Sequence, residues 1–115
     1  DFFLSLHHNM TTVKDRKIEG TDVYYLEGRS NGNLSSKRLS ELILQNYANT
    51  TTFANRLILD APHLYMVKYP KMPAVIVESG FMSDDGDLHR MFDPAVQERT
   101  AQALYDAIVQ AFAEI

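Results

Sequence analysis

The chain has 115 residues, of which 45% are hydrophobic and 23% charged, with no cysteine. These proportions belong to a folded chain, the length suits one modest domain burying roughly two-thirds of its unfolded surface, and disulfides and thiolate metal sites are excluded. The formal net charge of -4 with scattered basic residues offers no footprint for phosphate backbones or anionic lipid, and no apolar run approaches the roughly 20 residues of a membrane helix, so neither nucleic acid nor membrane insertion is expected.

Asp1 leads directly into Phe2, Phe3 and Leu4, as at the start of a buried strand, which points to a piece of a longer protein. Residues 2–6 form a short apolar run suited to a strand covered on both faces, ending in His7, His8 and Asn9. Thr11 to Gly20 is polar and reads as a loop, and Val23 to Leu26 has the aromatic and β-branched character of a second strand. After a polar Ser/Asn/Gly connection from Gly28 to Ser36, a helix is expected to begin with Ser35 or Ser36 as N-cap. Leu39, Leu42, Ile43 and Tyr47 make one stripe along it, and it stops near Asn49.

Leu64 to Val67 and Ala74 to Val77 are two further strand candidates, separated by the Pro70 to Pro73 turn. Asp93 followed by Pro94 is an N-cap with proline at the first helical position, and Val96, Leu104, Ile108, Phe112 and Ile115 trace a long amphipathic helix. Strands alternating with helices predict an α/β fold, with a mostly parallel or mixed sheet covered by helices on both faces.

Two segments place an ionisable residue where an apolar strand gives out: Ser5-Leu6-His7-His8-Asn9 and Val75-Ile76-Val77-Glu78-Ser79-Gly80-Phe81. In open α/β sheets the ligand crevice lies beyond the carboxyl ends of strands, so a Glu there, with Gly80 permitting a tight turn, could project into it with a raised pKa. Each segment alone also fits a plain structural role, Glu78 as a solvated or amide-bonded carboxylate and His7 as a hydrogen-bonded histidine. His63 and His89 read as surface residues, and the tyrosines as ordinary strand residues.

Residues 1–9 resemble the D-x-F-x-S-x-H-x-N strand of the zinc-dependent N-acetylmuramoyl-L-alanine amidases, and residues 73–83 are similar to that family's P-A-v-l-v-E-x-G-F-l-S motif. Between them, Gly20 to Tyr25 matches the family's G-x-x-v-y-Y strand and a Ser/Leu-rich helix follows in the family's order. The resemblance implies a zinc-exopeptidase-like core, His7 as a zinc ligand and Glu78 as the catalytic acid/base, with His8 at the variable position of the motif. It also implies a peptidoglycan substrate met outside the cytoplasmic membrane.

The family's other two zinc ligands, a His in an H-x-G-H segment and a Glu on a following helix, have no counterpart in these 115 residues. The chain is therefore expected to be the C-terminal part of a single amidase catalytic domain, with little activity by itself. Asp84 stands where the family usually has Asn, and Arg56-Leu57 where it commonly has Arg-Gly. Arg56 is a candidate for bidentate contact with a substrate carboxylate, the alternative being an exposed loop arginine. Two other readings remain open: an amidase fold kept as an inactive module, and a zinc peptidase with another substrate.

Overall fold

The computed structural model describes residues 1–115, and its centre is a four-stranded mixed sheet. In chain order the elements are β1 (Phe3–Asn9), β2 (Thr21–Tyr25), a small hairpin of β3 (Ser30–Asn31) and β4 (Leu34–Ser35), α1 (Ser36–Thr50) and β5 (Asn55–Asp60). After them come α2 (Tyr65–Lys68), β6 (Ala74–Phe81), α3 (Asp85–Phe92) and α4 (Pro94–Phe112). The sheet order is β1-β6-β2-β5; β1 runs parallel to β6 and β5 to β2, whereas β2 and β6 are antiparallel. The expected α/β class, with a mixed sheet flanked by helices, is what the chain forms.

Local chemistry explains the long helices. Ser35 caps α1 by accepting from the Arg38 amide at 2.9 Å, and Asp93 caps α4 by accepting from the Ala95 amide at 2.9 Å with Pro94 in the first turn. Their apolar stripes meet on one face of the sheet, where Leu39, Leu42, Ile43 and Tyr47 of α1 and Ala103, Leu104, Ala107 and Ala111 of α4 enclose Val23, Tyr25, Val75 and Val77. Burying each large aliphatic side chain in this core contributes about 1.5–3 kcal/mol.

Three sequence expectations are corrected. Leu64 to Val67 is not a strand: Leu64 is the N-cap of the short helix α2 and Tyr65 to Val67 lie in it, with only Val67 of α2 buried. The strand in this part of the chain is β5, whose outer-edge position leaves most of its residues exposed and hides its apolar pattern. β1, an edge strand, is not covered on both faces: Leu6, His7 and His8 are exposed, Leu6 at 56%.

Glu78 does not end its strand either; β6 continues to Phe81 through a bulge. His7 pairs with Glu78 but Asn9 pairs with Phe81, so β6 carries one extra residue there. Gly80 makes this possible with φ of +80°, and a Cβ at that position would lie 2.6 Å from a Phe53 ring carbon. Gly80→Ala combines left-handed backbone strain with overpacking and is expected to destabilise the fold by about 2–4 kcal/mol, read from urea denaturation midpoints.

Candidate active site

Strand directions bring one set of side chains to one end of the sheet. The carboxyl ends of β1 and β6 lie beside the amino ends of β2 and β5, because the inner pair is antiparallel. Register then aligns a row across three strands: His7 is paired with Glu78, and Glu78 with Asp22. Side chains alternate along a strand. Since Val77 and Val23 point into the core under α1 and α4, this row projects from the opposite face.

Glu78 is half-buried, and its Oε2 is enclosed without a hydrogen-bond partner. Burial pushes its pKa above the ordinary carboxylate value; His7 and His8 pull it down, and the neighbouring Asp22 pushes it up. The His7 imidazole is exposed and shares a 2.9 Å hydrogen bond through Nε2 with Ser5, two residues back on the same face. His8 points elsewhere, its Nδ1 donating to the Ser79 carbonyl at 2.8 Å. His63 and His89 are exposed and stand apart from the row.

Asp22 is fully buried, a placement that the sequence did not announce. Its Oδ2 accepts from Arg56 Nη1 at 2.6 Å and from Asn9 Nδ2 at 3.3 Å, while Oδ1 has no partner. Burial raises its pKa and Arg56 opposes the shift. Arg56 lies in β5 rather than in a loop, and is one-third exposed. The available signal was a charged residue directly before Val-Tyr-Tyr, but starting the strand at Val23 left Asp22 outside it.

The other face of β6 serves packing. Tyr47 of α1 shares a 2.7 Å hydrogen bond with Ser79, and burial pushes its pKa up to about 12 from 10.0. The folded state thus holds this proton more tightly than the unfolded chain. Its stabilising contribution is complete below the unfolded value near 10.0 and lost as pH rises through about 12. Tyr47→Phe is expected to flatten the alkaline decline in stability by about 3 kcal/mol, followed by denaturant titrations at stepped pH. A cavity of about 410 Å³ opens on this side, lined by Leu6, His8, Tyr47, Ser79, Gln97 and Leu104, with His7 also touching it; Glu78 is not in its wall.

Metal-ligating potential differs between two places. Glu19, Asp84 and Asp87 hold carboxylate oxygens within 4.8 Å of one another and could hold a metal ion. Their oxygens already serve the fold, however: Asp87 accepts from the Gly20 and Phe81 amides and from Arg90, and Asp84 caps α3. At the row, the exposed His7 imidazole offers one nitrogen that suits zinc as a member of a three-ligand site, and the paired Glu78 sets an unpartnered carboxylate oxygen beside it.

The chain has counterparts among known proteins. The family model for N-acetylmuramoyl-L-alanine amidase matches residues 1–110. The N-acetylmuramoyl-L-alanine amidase LytC of Bacillus subtilis is 31% identical over 112 residues, covering 97% of this chain and 22% of its own length. Among solved structures, the amidase AmiC2 of Nostoc punctiforme superposes with a TM-score of 0.83 at 26% identity, over 97% of this chain and 58% of that one. The CwlD amidase of Clostridioides difficile, solved in complex with the GerS lipoprotein, gives 0.83 at 25% identity, over 97% and 54%. This chain therefore spans a little over half of those structures and less of LytC. With the match running through both site-bearing strands, the chain belongs to the N-acetylmuramoyl-L-alanine amidase family.

Proposed function

We propose that residues 1–115 form the C-terminal part of an amidase catalytic domain that cleaves the amide between N-acetylmuramic acid and L-alanine in peptidoglycan. The observation that carries this reading is the register pairing of His7 with Glu78, whose Oε2 is enclosed and unpartnered at the carboxyl ends of two parallel strands. Family membership supplies the substrate class. The site of action is then outside the cytoplasmic membrane, where peptidoglycan lies; no helix is long and apolar enough to cross a membrane.

In this reading His7 contributes one nitrogen to a zinc site whose remaining ligands come from outside the 115 residues. Zinc, when bound, lowers the pKa of water and polarises the scissile carbonyl. Glu78 accepts a proton from the attacking water as its oxygen bonds to the lactyl carbonyl carbon. It then delivers that proton to the alanine nitrogen as the C–N bond breaks. Proton delivery is essential because an unprotonated amide nitrogen leaves poorly. The free lactyl carboxylate and a peptide with a new amino terminus are the products.

Arg56 stands at the far end of the row as a contact for the peptide portion of the substrate. Incubating the full-length protein with purified muropeptides and reading the products by mass spectrometry tests the reading. The expected products are a sugar bearing free lactate and an intact peptide beginning with L-alanine. Cleavage within the peptide, with the lactyl amide left whole, would replace the amidase by a peptidase.

A further inference from the structure

Arg56 owes its direction to an irregularity of the sheet. Thr21 pairs with Asn55 and Asp22 with Leu57, so Arg56 is the extra residue of a bulge in β5. Bulges bend a strand and re-aim a side chain. Here the guanidinium is turned onto Asp22, with its carbon 5.3 Å from the centroid of the Phe81 ring. The second bulge, at His7 to Asn9 against β6, flanks the same row and brings Asn9 within 3.3 Å of the same Asp22 oxygen.

Only Nη1 of Arg56 is bonded within the protein. The remaining N–H groups belong to a side chain that is one-third exposed, whereas its anchor, Asp22, is fully buried. A planar guanidinium fixed at one nitrogen by a buried carboxylate and stacked on an aromatic ring keeps a rigid edge for a second, bidentate anion. Neutralising Asp22 needs just one of its nitrogens.

We propose that Asp22 is a positioning residue that clamps Arg56 so that the free guanidinium edge recognises a carboxylate on the peptide side of the scissile amide. The pair thereby determines specificity between acidic and amidated stem peptides. This rests on the amidase reading above and extends it to the substrate's charge. Strands about 4.8 Å apart put β5 two spacings from Glu78, roughly 10 Å, and an extended peptide rising about 3.3 Å per residue covers that within three residues. The carboxylate of the residue after L-alanine falls in this range. Arg56 is also the cation bonded into this row, so without it an anionic peptide would meet Glu78 and Asp22 uncompensated.

Two probes test the proposal on the full-length protein: N-acetylmuramoyl-L-alanine extended by one residue with a free α-carboxylate, and the same compound with that group as its carboxamide. Wild-type kcat/KM is expected to favour the carboxylate by about 10- to 100-fold, mainly through KM, as for a charge-assisted bidentate contact. Arg56→Gln and Asp22→Asn should each raise KM for the carboxylate probe and bring the two probes within about twofold. If Asp22→Asn does not fold, Arg56→Lys, which keeps a cation on the buried Asp22 but lacks the planar guanidinium edge, still tests the discrimination.

Equal efficiency of the wild type on both probes overturns this proposal alone, as does an equal loss on both probes in the variants, which would mark the pair as purely structural. Cleavage of neither probe, with the lactyl amide of natural muropeptides also left intact, overturns the amidase reading and this inference with it.

Discussion

Replacing Glu78 with Gln is expected to slow amide cleavage by the full-length protein by about 10²- to 10⁴-fold, the span associated with loss of a general acid/base. The substitution keeps the shape of the side chain and breaks no protein hydrogen bond at Oε2, which has none. It also removes a half-buried carboxylate whose charged form burial disfavours, so stability should hold or rise slightly. Zinc content by elemental analysis and the thermal midpoint should match the wild type while kcat falls. A variant that loses zinc along with activity would make Glu78 a ligand, and one with undiminished kcat would remove it from the chemistry.

A comparably large effect, on stability instead of rate, is expected at Asp87. Its carboxylate is fully buried at the start of α3. One oxygen accepts from the Gly20 amide at 2.8 Å and the Phe81 amide at 2.9 Å, and the other from Arg90 at 3.0 Å. Asp87→Ala strands two buried amides and leaves Arg90 with only a 3.8 Å approach to Glu19. The cost is expected to be about 3–5 kcal/mol, a large part of the 5–15 kcal/mol of an ordinary domain.

The two amides belong to the residue leading into β2 and to the end of the β6 bulge, so the same change should loosen both sides of the Glu78 row. Asp87→Asn, whose remaining carbonyl oxygen can accept from both amides while the Arg90 bond at the other position is lost, should cost clearly less. Urea denaturation of the three proteins would decide: an alanine variant within about 0.5 kcal/mol of wild type would show that the bonds carry no net stability.

The sequence by itself determined the features whose causes are local. Ser35 and Asp93 with Pro94 mark helix starts through a side-chain oxygen and a fixed φ, and both helices begin there. The motif strands ending near His7 and Glu78 were legible for the same reason, since residue order alone carries them. Tertiary structure decided what depends on partners distant in the chain. Leu64 to Val67 has the apolar content of a strand but no strand beside it, whereas the mixed run Asn55–Asp60 becomes β5 because β2 offers an edge in register.

Asp22 and Arg56 are the sharpest case. Thirty-four positions apart in sequence, neither carries a local sign of the other, because a buried ion pair is created by strand pairing and a bulge rather than by periodicity. His7 and Glu78 are likewise distant in the chain, and only the parallel pairing of β1 with β6 makes them neighbours. Composition and spacing specify elements and nominate residues; the register of the sheet determines which nominated residues share a face and which unnominated carboxylate stands between them and the arginine.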